Sequence, residues 1–400
     1  AMLTGLGFSP FYAASICLLA NTSPVAFGSI GIPLVTLSGI TGLPLHSLSA
    51  NVGRMCAPVS LFIPAYLVVV MGGWRALKPV LPAVIACGVA FAGTQLFVSN
   101  VLGPSLTDIL ASVAAMITLV VLFKFWKPAA DVANSSANSG ASEAAHHHSF
   151  RELFIAWAPY LLLVIFVLLW GIEAVKIGLN SFTLSVHWPV LHNHILKMPP
   201  VVTSAAPYGA VYTFNWLSVS GTACMFAALI STLVLGMPPL QTVRLLISTG
   251  KQLLFPLITI ASVLALAFLM NYSGATATLG LAFAATAVMF PFFSSLLGWL
   301  GVFLTGSDTA SNALFGNLQV VTANKLGLNP VLMAASNSSG GVMGKMISLQ
   351  SIAVAAAATG MKQEEEARLF RFTLRHSVLL ASVIGMIALF YAYAAPHWVK

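Results

Sequence analysis

Ser307-Asp308-Thr309-Ala310-Ser311-Asn312-Ala313-Leu314-Phe315-Gly316 stands at the end of a long apolar stretch of a 400-residue chain. The 252–307 run before it holds no Asp, Glu, Lys or Arg, and Asp308 is the only acidic residue between Glu173 and Glu364. Further on come Ser336-Asn337-Ser338-Ser339-Gly340-Gly341 and Gly344-Lys345-Met346. Small and polar residues this dense interrupt a membrane helix, because freed backbone groups are tolerated only inside protein or against a wet cavity. The surroundings decide whether a membrane is involved.

They do so through composition. The chain is 58% hydrophobic and 6% charged, whereas a soluble domain carries roughly a quarter charged residues. An ordinary cytosolic enzyme, a disordered protein and a disulfide scaffold are excluded. Cys17, Cys56, Cys87 and Cys224 show neither metal nor disulfide spacing and read as small hydrophobes. The net charge of +8 is dispersed; the basic excess of cytoplasmic loops accounts for it without nucleic acid. Charge-free runs also cover 1–53, 79–107, 153–172, 198–243 and 376–399. A span needs about 20 apolar residues. Single spans are expected at 55–73, 79–100, 107–123, 153–172, 214–236, 252–270, 277–304 and 376–395. The runs are continuous rather than alternating, so the fold class is all-α, a polytopic transmembrane helical protein.

The expected organisation is a first repeat over 1–78, two spanning helices over 79–123, and a flexible cytoplasmic linker over 124–151. Spanning helices follow over 152–276 with an external loop at 173–213, then a second repeat over 277–361 and a connector with the last span over 362–400. The linker carries Lys124, Lys127 and Arg151, which place it in the cytoplasm, and the polar tract His146–His148, which reads as solvated rather than metal-binding. The side of the 362–375 connector stays open, because three glutamates offset its basic residues. Residue 1 is alanine at the edge of an apolar stretch, with no basic n-region or cleavage site, so no signal peptide is expected and the sequence is expected to begin inside a larger protein.

The two repeats each contain an interrupted helix. Asn21-Thr22 matches Asp308-Thr309, Ala26-Phe27-Gly28 matches Leu314-Phe315-Gly316, Gly42-Leu43 matches Gly327-Leu328, and Gly53-Arg54-Met55 matches Gly344-Lys345-Met346. In the first repeat the polar stretches are 20–28 and 49–55. Paired interrupted segments in corresponding halves point to a transporter binding site, and half-helix N-termini there can donate to an anion. The competing explanation is close small-residue packing with Ser and Asn bonding between helices.

A charge at the bilayer centre costs about 2.5–3.5 kcal/mol on insertion scales. Asp308 is therefore the candidate for proton coupling, against a structural role as helix cap or as ion-pair partner of Lys345. Arg54 and Lys345 are candidates to attract a carboxylate, against snorkelling. Asn21, Thr22, Ser23, Ser311, Asn312, Asn337, Ser338 and Ser339 are candidate hydrogen-bonding residues for a bound substrate. Asp108 is expected to cap or border a span. Residues 339–346 imitate a phosphate loop, but the first glycine falls one place late and Met346 stands where Ser or Thr should be. No nucleotide fingerprint, metal-ligand motif or nucleophile elbow is present, and no cofactor, metal or catalytic residue is expected.

The runs 271–276, 298–309, 311–319 and 334–348, together with Asn21-Thr22-Ser23-Pro24-Val25-Ala26-Phe27-Gly28 and Val52-Gly53-Arg54, closely resemble the L-lactate permease family. The resemblance runs over essentially the whole chain and fades in 124–151 and 173–213. It implies a multi-pass permease of the bacterial inner membrane, not an enzyme, that imports L-lactate, glycolate or D-lactate with protons. It also implies inverted repeats, re-entrant hairpins, elevator-type motion and further helices upstream. Partners on this basis are the carboxylate, protons and lipid, with a homo-oligomer left open. A sodium-coupled carboxylate carrier is the alternative, and a membrane-embedded enzyme or a sensor ranks lower. Lactate with one proton carries no net charge, so one-for-one symport would ignore the membrane potential.

Overall fold

The computed structural model describes residues 2–5, 7–23, 25–127, 149–198, 205–361 and 363–399. Most of the expected linker, with His146–His148, lies outside the described residues, as do Pro24 and Lys362. The chain is overwhelmingly helical and divides into two compact units, 1–141 with 266–400, and 142–265. Among the described residues five helical segments are long and apolar enough to cross a bilayer, or six if the bent pair Pro330–Ile347 and Leu349–Thr359 counts as one span.

The first unit opens with α1 (Pro10–Ala20), α2 (Gly28–Thr41), α3 (Leu45–Leu77), α4 (Leu81–Val101) and α5 (Thr107–Phe125). The second unit holds α6 (Phe150–Gly171), α7 (Glu173–Asn180), four short strands, α8 (Ser220–Val234) and most of α9 (Pro239–Ser273). The first unit resumes with α10 (Ala275–Phe283), α11 (Phe290–Thr305), α12 (Asp308–Leu326), α13 (Pro330–Gly344), α14 (Leu349–Thr359) and α15 (Gln363–Leu389).

Two helical hairpins form the centre of the first unit. Gly42 closes α2 at φ 71° and Gly327 closes α12 at φ 67°, both in the left-handed conformation that stops a helix at little cost for glycine. Pro44 and Pro330 then open α3 and α13. These are the Gly-Leu pairs matched between the repeats in sequence. Helix α2 packs on α12 and α3 packs on α13. A Cβ on Gly316 would come within 2.5 Å of Leu37, so glycine sets the α2–α12 approach. Leu34, Leu37, Leu48, Met55, Met333 and Met343 fill the shared core.

Helix α11 crosses α13 closely enough for backbones to touch. A Cβ on Gly298 would meet the Asn337 carbonyl oxygen at 1.8 Å, and one on Gly340 would meet that of Ser295 at 1.9 Å. Without a hydrophobic drive between helices in lipid, such small-residue contacts and interhelical hydrogen bonds hold a bundle together.

The expected 277–304 span is present as Ala275–Thr305 but is kinked: α10 gives way to a 3-10 stretch, Ala284–Met289, before α11 begins. Ala287 sits at φ 47°, and Pro291 has no N–H to return to that carbonyl. The polar stretch 49–55 does not interrupt α3, which runs on to Gly73 before its first non-helical residue. Its small residues serve packing instead: Ser49 Oγ donates to the Ser99 carbonyl at 2.8 Å, and Gly53 lies against Ser99. The first half breaks earlier, after α1 and again where Ile30 (φ 63°) and Gly31 (φ 77°) turn left-handed inside α2, a costly conformation for a β-branched residue. In the second half α13 runs into a 3-10 turn at Lys345–Ile347, and the chain bends by 42° between that turn and Leu349–Thr359.

In the second unit, the segment expected as an external loop carries nested antiparallel ladders. Leu184–His187 pairs with Val211–Phe214, and Ile195–Lys197 pairs with Ala206–Tyr208. Trp170, Phe166 and Phe226 pack where α6 meets α8.

Candidate functional site

Helices α12 and α13 carry a sealed polar network at the junction of the two hairpins. Ser307 caps α12, its hydroxyl accepting from the Ala310 N–H, and Asp308 is the first helical residue. Asp308 is 4% exposed. Its Oδ2 accepts from Ser338 Oγ at 2.7 Å and from Asn312 Nδ2 at 3.4 Å. Its Oδ1 is buried and accepts no hydrogen bond. That oxygen lies over Gly341, where a Cβ would come within 2.3 Å of it. Gly341 thus supplies the room that the carboxylate occupies.

Asn312, fully buried, is the hub. Its Nδ2 also lies 3.2 Å from Ser338 Oγ and 3.1 Å from the Pro33 carbonyl, which ties α12 to the first hairpin. Its Oδ1 accepts from Asn337 Nδ2 at 2.9 Å. Asn337 Oδ1 in turn accepts from Gln319 Nε2 at 3.0 Å, and the same amide nitrogen lies 3.2 Å from the Ser294 carbonyl. Ser311 Oγ donates to the Gly298 carbonyl at 3.0 Å. A buried chain of amides and hydroxyls around one carboxylate is a site that can exchange internal hydrogen bonds for those of a bound anion or ion.

Of the two candidate cations only Lys345 lies beside this network, and both are tied to the protein. Lys345 Nζ donates to the Gly306 carbonyl at 2.5 Å, at the C-terminus of α11, two residues before Asp308. A cation is favoured at that helix end, and its charge reaches Asp308. Arg54 Nε donates to Asn100 Oδ1 at 2.9 Å, and its guanidinium also donates to the Trp398 carbonyl. Tyr391 Oη donates to the Arg54 carbonyl at 3.2 Å. Arg54 borders an apolar groove between α3 and α4 that also reaches Tyr391 and Trp398.

The structure therefore brings together Asp308, Asn312, Asn337 and Ser338, with Ser311 and Lys345 at the edge. Ser339 is buried against the Cys56 thiol of α3. The first-repeat trio does not join them. Asn21 is exposed, Thr22 Oγ1 bonds locally to the Leu19 carbonyl at 2.6 Å, and the Ser23 carbonyl accepts from Gln95 Nε2 at 3.0 Å. Gln319 and Ser294 belong to the network and were not singled out in the sequence. The signal was present: 308, 312 and 319 follow i, i+4, i+11 spacing, one face of one helix. Among the described residues no group of three or more His, Cys, Asp or Glu side chains is placed to hold a metal.

Residues 1–395 match the profile of L-lactate permease. The chain is similar to a glycolate permease of Escherichia coli K12, 43% identical over 98% of this chain and 73% of that protein. It is similar to the L-lactate permease of Salmonella typhimurium, 43% identical over 98% of this chain and 73% of that protein. It is also similar to the L-lactate permease of Bacillus subtilis, 43% identical over 97% of this chain and 72% of that protein. No solved structure matches the chain.

Proposed function

Because the chain belongs to the L-lactate permease family, we propose that it imports L-lactate and glycolate across the bacterial inner membrane by proton symport, with Asp308 taking the proton. The observation that carries this reading is the Asp308 carboxylate: sealed at the hairpin junction, with one oxygen held by Ser338 and Asn312 and the other without a donor. An intramembrane carboxylate so placed is a functional group by default.

In this mechanism the substrate carboxylate and its 2-hydroxyl exchange with the internal bonds of Ser311, Asn312, Asn337, Ser338 and Ser339. Lys345 supplies positive charge beside them, and Arg54 attracts the anion from the groove side. Asn21, Thr22 and Ser23 take part only through the first-repeat break, since their side chains lie outside the network. Protonation of Asp308 removes its repulsion of the incoming carboxylate, so anion and proton bind together. This is the physical basis of coupling, each ligand favouring the state that the other prefers.

The test is uptake of labelled L-lactate into liposomes holding the full-length protein, under an inward proton gradient without sodium. Protonophore-sensitive accumulation supports the reading. Accumulation that waits for added sodium assigns coupling to the oxygen-rich helix breaks instead, and absence of uptake under either gradient overturns the substrate.

A further inference from the structure

A second carboxylate with a sealed oxygen lies outside the network and outside both repeats, in the helix Thr107–Phe125. Asp108 stands in the first turn of α5. Its Oδ1 is sealed from solvent and accepts no hydrogen bond. An acidic residue in a first helical turn ordinarily complements the helix dipole, but such a residue sits in solvent or accepts from the N–H groups of that turn. Asp108 Oδ1 does neither. Burying an unpaired negative charge is costly, and a buried carboxylate is kept neutral or paired.

Among the described residues no donor pairs its Oδ1. Helix α5 packs on α4 and α2. Cys87 is the one titratable side chain of α4, and α2 has none. From α3, Cys56 feels the charge of Asp108 and also that of Asp308. Among the described residues no lysine, arginine or histidine acts on Asp108. The loop that leads into α5 packs on the strained break of α2: Pro104 lies within 2.8 Å of a Cβ built on Gly31. Asp108 and Asp308 thus share one feature: each has a sealed carboxylate oxygen in the first turn of a helix.

We propose that Asp108 binds a second proton, which travels with each substrate anion and makes the cycle carry net positive charge inward. This rests on the proposed carboxylate import. Each charge moved across 100 mV is worth about 2.3 kcal/mol, roughly 50-fold in accumulation ratio.

The experiment uses full-length protein in liposomes under a fixed inward proton gradient. The steady-state L-lactate ratio is compared at zero potential and at 100 mV, inside negative. The wild-type ratio rises roughly 50-fold. In Asp108→Asn whatever uptake remains no longer responds to voltage, and Asp108→Glu keeps the response. Wild-type accumulation driven by pH but indifferent to voltage overturns the second proton and leaves the import reading standing. An Asn variant as voltage-responsive as wild type overturns the assignment to Asp108. Absence of any pH-driven uptake in the wild type removes the import reading, and this proposal with it. If Asp108→Asn does not fold, Asp108→Ser is read in its place, and a voltage response equal to wild type in that variant overturns the assignment to Asp108.

Discussion

The two hairpins share a turn and differ in what they hold. Both close on a left-handed Gly-Leu turn, and their paired helices pack α2 on α12 and α3 on α13. In the first, α3 runs unbroken through Arg54, whose guanidinium is spent on Asn100 and the Trp398 carbonyl. In the second, α13 ends before Lys345, and the helix faces between carry a carboxylate, two asparagines and a glutamine bonded to one another. A repeated sequence pattern therefore fixes a common scaffold, while chemistry concentrates in one copy. The copy with the shorter second helix and the closest backbone crossing is the one that buries the polar network.

That asymmetry can be broken most violently at the α11–α13 crossing. Gly298→Ala places a methyl against a backbone oxygen 1.8 Å away, which cannot rotate aside. Overpacking of this kind costs about 1–3 kcal/mol, occasionally more, and here the upper end is expected. The check is recovery of monodisperse protein in detergent, with a collapse in yield. Gly316→Ala at the hairpin contact meets the end of the Leu37 side chain at 2.5 Å, which can shift, and the Thr41 methyl at 3.3 Å. A fall of a few degrees in melting temperature is expected there, with transport retained.

Asn312→Ala comes next. It removes the donor to Pro33 and Ser338 and the acceptor for Asn337. Interhelical polar bonds in membrane proteins average about 0.6 kcal/mol each, so a stability loss of about 1–2 kcal/mol is expected, readable as a lower melting temperature. Exchange of labelled L-lactate should fall at least about tenfold, because the hub both ties the hairpins and faces Asp308. Gln319→Ala should lower it less, having one network partner and one backbone partner. The smallest effect belongs to Asn21→Ala. Its side chain is exposed, and uptake near wild type is expected. A loss as deep as that of Asn312→Ala would restore the first repeat to the binding site.

Much of this was legible before any coordinates. Charge-free runs give helices because lipid leaves the backbone no other partner. Asp308 stood out because it is the only acidic residue between Glu173 and Glu364, and the two Gly-Leu pairs stood out because they recur in the same order in both repeats. Gln319 was hidden among ordinary polar residues; only its helical register with Asp308 and Asn312 marks it. Asn21 matched Asp308 in sequence order, yet a match in order carries no burial. The continuity of α3 through 49–55 was illegible, because Ser49 and Gly53 look like helix breakers until Ser99 is placed against them. The breaks at Ile30 and Ala287 are tertiary choices that local propensity opposes. The ladders over 184–214 rest on pairings across loop residues without strong alternation.

The most direct measurement is a comparison of net accumulation with exchange in Asp308→Asn. Full-length wild-type and variant proteins are reconstituted side by side, and labelled L-lactate is followed under an inward proton gradient and then in equilibrium exchange without one. If Asp308 takes the proton, the variant exchanges lactate at a measurable fraction of the wild-type rate and accumulates none against its gradient. Full pH-driven accumulation by Asp308→Asn would contradict that assignment and leave the buried carboxylate a structural member of the α12–α13 junction.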